Sequence, residues 1–428
     1  MRRSKHWFQQ CRVGVAGLAA VLVGILVFQP IFGLGAQTGY ESPQVLAASR
    51  ILPPELLSGP NHRVQERVTN DGLLNTYQID SKFGTFTAVS TAVLRKRISE
   101  INAMVLMEKI KGTKEYASAI KTAGLGTLTG VKNLLTSPVD TLSGAASGLG
   151  EVFRRVEDSV SGPKRSQSED SQVKDLIGFS KTKREYASQF GVDVYSENQK
   201  LQDRLNEISW AGFAGGLTWT AAMAAVPGGA GIAFTVTGIA KRMNDVLRDT
   251  PPVELRRMNG EKLKAMDVHP EIADAFLNNT VFSPWHQTLL VAALDEMKGV
   301  ANRAAFVRVA LVSPNSTVAF FRQRQAEMYG GYNKSVTPLE SFIPLGQFAV
   351  SRTINGALVF NLPLDHLVWT EPVAQWLSGA NELVNNLPGV KEKQLWVAGT
   401  LSVRARKEGE SRGWQIQEQS EARLFEMK

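Results

Sequence analysis

The chain begins with a basic segment that is followed by an apolar one. The first twelve residues contain four cations and no acid, at Arg2, Arg3, Lys5 and Arg12. Residues 13–28 carry no charge, and small residues follow at 33–36. This order is typical of a secretory signal. Cleavage near residue 36 and retention of 13–34 as an inner-membrane anchor both stay open, since the apolar stretch approaches the roughly 20 residues of a span. The remaining chain is expected in the periplasm or cell envelope.

Alternating polarity predicts a small β-hairpin after this signal. Residues 37–62 are rich in Pro, Gly and Ser and are interpreted as a tether. Residues 63–156 form the next region, and alternation within 72–89 predicts two strands joined by a turn at 81–84. A helix is predicted from Ala92, because apolar residues recur every three or four positions at Leu94, Ile98, Ile101 and Val105.

The end of this region has an apolar stripe without the usual charged face. Residues 127–156 contain an imperfect repeat marked by Thr-Leu-x-Gly, with much Gly and little charge. Such a helix is weak alone and needs a second surface, which is either the protein's own core or a membrane surface. Residues 157–175 are polar and are predicted to form a mobile linker.

Residues 176–250 are predicted to be helical and to contain an uncharged hairpin. A capping box at Ser196 and Gln199 predicts the start of a helix whose stripe is Leu201, Leu205 and Ile208. No charged residue occurs in 208–240. Pro227 and the two glycines after it divide this stretch into arms, 208–226 and 230–240, which are expected to pack together. Close approach is expected at Gly212, Gly215 and Gly216.

Three environments for this hairpin stay open. It is a buried core element, a membrane-inserted hairpin or a conventional second span. The side chains expected to contact a membrane or a partner protein are Trp210, Phe213, Leu217 and Phe234. An exposed apolar patch of more than a few hundred Å² would indicate such a contact.

Residues 251–335 have the clearest helical periodicity in the chain. Ser283 and Pro284 predict an N-cap and first turn of a helix through Met297. A second helix is predicted from Ser316, ending at the glycine pair 330–331, as a surface helix with a core stripe at Phe321, Gln325 and Met328.

Residues 336–428 predict a small α/β module. Asn355-Gly356 between two apolar runs indicates a β-hairpin with a two-residue type I′ turn. A helix at 371–386 and a strand-helix-strand unit at 395–418 follow, with Ser402 as the N-cap of the helix. The predicted fold class is therefore α+β and mainly helical: an N-terminal β-hairpin region, a central helical region with a Gly/Ala-rich hairpin, and this module.

Composition narrows the class of protein. The 428 residues carry a net charge of +8 and are 43% hydrophobic, which excludes a fully disordered chain. Without the four cations of the signal the charge is only +4, so nucleic acid is not expected as a partner. Cys11 is the single cysteine, which excludes an intrachain disulfide. No motif predicts a metal or another cofactor.

One weak catalytic constellation stands out. Asp365 and His366 follow a predicted strand near Glu371, and Ser402 lies at the start of a helix. Together they form candidate acid, base and hydroxyl groups, although a hydrogen-bonded turn histidine is the preferred interpretation. The backbone N–H groups at 399–402 are a further candidate, for an anion. A plain loop with Ser402 as the N-cap of the next helix is the preferred interpretation of these residues.

The expected function is that of an exported, membrane-associated envelope protein that binds rather than catalyses. Membrane lipid or a membrane protein is the expected partner. Two alternatives stay open: a hydrolase-like envelope enzyme with its site in the C-terminal module, and a pore-forming or membrane-remodelling protein that uses residues 208–240.

Overall fold

A computed structural model describes most of the chain. The described residues are 39–123, 178–226, 238–345 and 348–425. The signal, the repeat at 127–156, the linker at 157–175, the Pro-Gly-Gly tip of the uncharged stretch and Phe234 lie outside the described residues.

Strands and helices are numbered separately in chain order. The strands are β1 (Leu46–Ala47), β2 (Ser58–Gly59), β3 (His62–Val64), β4 (Arg67–Asn70), β5 (Asn75–Ser81), β6 (Gly84–Val89), β7 (Leu339–Leu345), β8 (Phe348–Thr353), β9 (Ala357–Leu362), β10 (His366–Leu367), β11 (Glu392–Val397), β12 (Thr400–Leu401) and β13 (Trp414–Gln417). The helices are α1 (Ala48–Ile51), α2 (Pro54–Leu57), α3 (Thr91–Lys111), α4 (Lys114–Thr122), α5 (Phe179–Gln189), α6 (Gln199–Phe213), α7 (Trp219–Ala224), α8 (Gly238–Asp249), α9 (Pro252–Ala265), α10 (Pro270–Leu277), α11 (Pro284–Glu296), α12 (Ala304–Leu311), α13 (Ser316–Ser335), α14 (Glu371–Asn385), α15 (Val403–Ser411) and α16 (Glu421–Leu424).

The N-terminal sheet is built around β5. The predicted hairpin is confirmed, because β5 and β6 pair antiparallel up to Ser81 and Gly84 at the turn. On its other edge β5 pairs with both β3 and β4. The tether predicted for 37–62 is wrong for its described part, since residues 39–62 contain β1, α1, α2 and β2 and begin β3. Small and polar residues there build short edge strands, and Ala48, Leu52 and Leu56 are buried in the core.

Helices α3 to α7 cover this sheet and share its core. The predicted helix from Ala92 is confirmed as α3, with Ser90 as its N-cap. The capping box at Ser196 is wrong: α6 begins at Gln199 behind Asn198, because the Ser196 hydroxyl donates to the buried carboxylate of Glu100 over 2.5 Å.

The first arm of the uncharged stretch is not one helix. Helix α6 ends at Phe213, and α7 begins only at Trp219 after a turn in which Gly216 has φ +68°. Both α6 and α8 pack against α5, rather than extensively against each other. The glycines do permit close approach, but to other helices: a Cβ at Gly212 would lie 2.5 Å from Tyr186 of α5, and one at Gly215 would lie 2.2 Å from the Ala119 carbonyl oxygen of α4.

Helices α8 to α13 form a second core, together with one face of the C-terminal sheet. The Ser283 hydroxyl accepts the His286 N–H, which confirms the predicted N-cap of α11. The predicted end of α13 is wrong. This helix continues through Gly330 and Gly331 to Ser335, and it is central rather than superficial, with Gln325 and Met328 buried.

The C-terminal sheet is mixed, in the order β13-β11-β9-β8-β7. Strands β9, β11 and β13 are parallel, with α14 and α15 as the connections between them. The hairpin of β8 and β9 is confirmed, but its two-residue turn is wrong. Thr353 accepts the Gly356 N–H, and only Gly356 in this loop has a positive φ, whereas a type I′ turn needs two such residues.

The hydrophobic cores do not follow the predicted boundaries between regions. Residues from 48–123 and 178–226 share one core, so the described residues before and after the predicted linker belong to the same packing unit. The buried apolar residues of α8 belong to the core of α9 to α13, although α8 also contacts α5. The C-terminal sheet lies between that core and a third cluster around α14. The fold is α+β and mainly helical, as predicted.

Candidate functional site

A cavity of about 410 Å³ lies where the N-terminal sheet, α3, α13 and the C-terminal sheet meet. Its floor comes from the loops that follow β9, β11 and β13, including Asp365, Thr400 and Gln419. Ligands of open α/β sheets bind at the carboxyl ends of parallel strands. The cavity has both this position and the 300–1,000 Å³ typical of small-molecule sites.

Asp365 lines the cavity and anchors the start of α3. Its two carboxylate oxygens accept the backbone N–H groups of Asn75 and Thr91, each over 2.9 Å. Thr91 is the first residue of α3, where a negative charge is favoured by the helix dipole. Burial nevertheless raises the pKa of Asp365 to about 6, against the opposing effect of these two bonds. Asp365 therefore joins the two sheets and has no oxygen without a donor.

Tyr77 extends this polar network into the N-terminal core. Its hydroxyl lies 2.8 Å from the Thr91 hydroxyl and accepts the side-chain amide of Asn75 over 3.0 Å. Burial, and then the nearby charge of Asp365, raise the pKa of Tyr77. The phenol stays neutral at physiological pH and supports the cavity wall.

His366 lies beside a hydroxyl group that the sequence analysis did not select. Its Nδ1 is 2.8 Å from Oγ1 of Thr400, its partner in the parallel register of β10 and β12. Burial lowers the pKa of His366, partly opposed by the charge of Glu41. The imidazole is neutral at pH 7, and both residues line the cavity. The strand-to-helix position of 399–402 was the available signal for Thr400, but the pairing of β10 with β12 is visible only in the fold.

Ser402 does not join this group. Its hydroxyl accepts the Ala405 N–H as the N-cap of α15 and donates to the carboxylate of Glu41. It is not among the cavity-lining residues, and the described contacts of Glu371 are likewise elsewhere. The constellation of Asp365, His366 and Ser402 is therefore not assembled as one site.

The backbone of 399–402 forms the plain loop that the sequence favoured, and not the alternative anion site. The N–H groups of Gly399, Thr400 and Ser402 donate to carbonyl oxygens of the loop that follows β9 and of β10, over 2.8–3.0 Å. The N–H of Leu401 donates to the Glu418 carboxylate. All four donors are used within the protein, so none remains for a ligand.

A charged cluster forms another part of the cavity lining. Arg95 donates to both carboxylate oxygens of Glu421, over 2.6 and 2.7 Å. Arg324 donates to Glu421 and to Glu327, each over 3.2 Å. Arg324 is only 6% exposed, so these two carboxylates compensate a charge that would otherwise be costly to bury.

Two lining residues have strained backbone conformations. Ser90 has φ +91° and ψ 152°, a region that is essentially restricted to glycine, and Gln419 has φ +50°. Each such residue costs roughly 1–3 kcal/mol and persists only where the surrounding structure imposes it. Their occurrence at one cavity marks it as the leading functional candidate.

The side chains expected to contact a membrane are separated in the structure. Leu217 is 6% exposed and buried in the N-terminal core. Trp210 is half-buried and packs on Phe179, with ring centroids 4.8 Å apart, while Phe213 beside them is 36% exposed. Among the described candidates, only Phe213 is substantially accessible.

Comparison with protein-family models, with curated proteins and with solved structures gives no match. Within the described ranges, no helix has both the length and the apolar character needed to cross a bilayer. The same residues contain no group of three or more His, Cys, Asp or Glu side chains placed to hold a metal ion.

Proposed function

We propose that this chain is an exported cell-envelope protein that binds a small ligand in the cavity at the carboxyl ends of β9, β11 and β13. The cavity itself carries the proposal. It combines a volume of about 410 Å³, apolar walls and convergent polar side chains, which is the usual character of a ligand site.

The hydrogen bonds around the cavity favour binding over catalysis. Asp365 has both oxygens occupied by backbone donors, so it is placed to hold the structure rather than to move a proton. The four N–H groups at 399–402 are also occupied. Acyl transfer depends on free donors for a developing oxyanion, and this loop offers none.

Export and membrane association belong to the same proposal. They are supported by the basic and apolar order of the first 36 residues. The exposed Phe213 beside Trp210 is the described feature that best suits a membrane or partner contact.

A reporter fusion tests the export. A reporter that is active only outside the cytoplasm, fused after residue 38, is expected to be active. This junction lies before the first described residue, so it does not fall within the N-terminal sheet. The control is the same fusion with Leu22→Arg and Ile25→Arg, which interrupt the apolar run and should silence it. A silent export reporter, together with an active cytoplasmic reporter fused at the same junction, would contradict the proposal.

Filling the cavity tests the binding. Native mass spectrometry of the full-length protein in detergent is expected to show a co-purified small molecule. Ala92→Phe places a ring at the cavity wall near the start of α3 and should remove this adduct. Ala117→Phe on the exposed side of α4 is the matched control and should retain it. An adduct that persists in Ala92→Phe, or no adduct in any protein, would count against the cavity as the binding site.

The enzyme alternative rests on His366 and Thr400. A neutral imidazole 2.8 Å from a hydroxyl has the geometry of a base and a nucleophile. For an ester, the Thr400 oxygen would bond to the carbonyl carbon, His366 would pass the hydroxyl proton to the leaving alcohol, and water would release the acid. Chemical change of the bound molecule by the wild type, but not by Thr400→Val, would favour this alternative.

A further inference from the structure

The polar groups that remain free in the cavity indicate the chemistry of its ligand, if the proposed binding function holds. The two acidic side chains of the wall are fully engaged. Asp365 accepts two backbone N–H groups, and Glu421 accepts Arg95 on both of its oxygens. Arg324 also donates to Glu421, and its remaining charge is met by Glu327. Every oxygen of these two carboxylates thus already accepts a hydrogen bond from the protein.

Two guanidinium groups keep free donors. Arg95 uses only Nη1 in its bonds to Glu421, and its Nε and Nη2 make no hydrogen bond within the described part of the chain. Arg50 lines the same cavity from α1, is exposed, and has no hydrogen bond or ion pair among the described residues. The free donors of these two residues are thus cationic, and Arg50 also lacks an ion-pair partner among the described residues.

Other parts of the lining are apolar. Ile51 and Leu52 border the cavity on one side, and Phe320 and Phe321 of α13 border it on another. Ile51 is a large hydrophobic side chain left exposed at this position. An apolar ligand body would remove these side chains from water, which is favourable at about 25 cal/mol per Å².

We infer that the ligand is an amphipathic anion, with an apolar body against Phe320 and Phe321 and a phosphate or carboxylate head at Arg50 and Arg95. Guanidinium groups form paired, charge-assisted hydrogen bonds with such heads. A cationic ligand would face the unpaired charge of Arg50 and the free donors of Arg95 at this position. A neutral alcohol of the same length would leave most of their donors without acceptors.

Calorimetric titration of the full-length protein with three matched probes tests this inference. The probes are decyl phosphate, decanol and decyltrimethylammonium, each below its aggregation concentration. Decyl phosphate is expected to bind roughly tenfold or more tightly than the other two, since its head makes charge-assisted hydrogen bonds. Inorganic phosphate, which lacks the apolar body, is expected to bind at least tenfold more weakly than decyl phosphate.

Single arginine variants assign the head group. Arg50→Gln should weaken decyl phosphate roughly tenfold without loss of folding, because Arg50 has no partner in the described structure. Arg67→Gln on the neighbouring β4 is the matched control: Arg67 is also exposed, lies outside the cavity and should leave binding unchanged. Vesicles with and without phosphatidic acid identify the source. Binding that depends on both phosphatidic acid and Arg50 would indicate a lipid headgroup, and binding only of the soluble probe would indicate a free metabolite.

Two results separate this inference from the proposed function. If decanol or the cationic probe binds as tightly as decyl phosphate, and Ala92→Phe blocks all of them, the cavity binds ligands but the anion inference is wrong. The same holds if Arg50→Gln binds decyl phosphate like the wild type. If no probe binds and native mass spectrometry shows no adduct, the proposed binding function fails with it.

Discussion

Replacing Gly331 with Ala is expected to destabilise the protein by about 3 kcal/mol, at the upper end of the cost of overpacking. A Cβ at this position would lie 1.8 Å from the backbone oxygen of Leu424 in α16. The neighbour is backbone rather than the end of a flexible side chain, so α16 would have to move away from α13. Urea unfolding of the full-length variant measures the change.

The adjacent glycine is the control, with an effect of opposite sign. A Cβ at Gly330 would meet its nearest neighbour, the Ala293 oxygen, at 3.7 Å, which is an ordinary contact. Gly330→Ala should therefore stabilise α13 by about 0.5–1 kcal/mol, because alanine loses less conformational entropy in a helix. Equal effects of the two substitutions would show that α13 and α16 do not meet as described.

Acidification is expected to destabilise the protein through His286. This side chain is 8% exposed, neither ring nitrogen has a hydrogen-bond partner within the described structure, and its ring lies 5.6 Å from that of Phe320. Burial, and then the charge of Lys96, lower the pKa of His286 to about 4, with Asp193 opposing. As the pH falls below 6.5 the unfolded chain takes up the proton first. The contribution of His286 to the free energy of unfolding should fall between pH 6.5 and 4, by about 2 kcal/mol from pH 7 to 5.

The variant His286→Phe isolates this effect. The ring is kept without the two unpaired nitrogens, so stability at pH 7 should equal or exceed that of the wild type. Between pH 7 and 5 the variant should gain about 2 kcal/mol relative to the wild type. Asp365 and the other titrating groups are common to both proteins and cancel in this difference. His269→Gln, at an exposed histidine, is the control and should track the wild type. Identical pH profiles of wild type and His286→Phe would contradict the assignment.

Local periodicity was sufficient for the regular elements. The apolar stripe that begins at Leu94 predicted α3, and the Ser283-Pro284 pair predicted the start of α11. Alternating polarity predicted the hairpin of β5 and β6. The parallel strand-helix-strand end of the chain was also predictable. These features depend on contacts within a few residues, through caps, turns and one-sided burial.

Predictions failed where a distant residue competed with a local rule. Ser196 and Gln199 have the spacing of a capping box, but the Ser196 hydroxyl donates a hydrogen bond to Glu100, 96 residues away. The glycine pair in α13 has the sequence of a helix end, yet the helix continues through it. Gly331 is required because the backbone of Leu424 approaches too closely to leave room for a Cβ. The hydroxyl beside His366 is that of Thr400 and not Ser402, since strand pairing determines which side chain faces it.

The sequence by itself determined the mainly helical α+β class, the two β-hairpins and the starts of α3, α11, α13, α14 and α15. Only the tertiary structure decided the site. The cavity exists because three strand ends of one sheet face the start of α3, and Asp365 bridges them by accepting N–H groups from Asn75 and Thr91. No local pattern encodes an acceptor for amides more than 270 residues away, nor the strained φ of Ser90, which surrounding contacts impose.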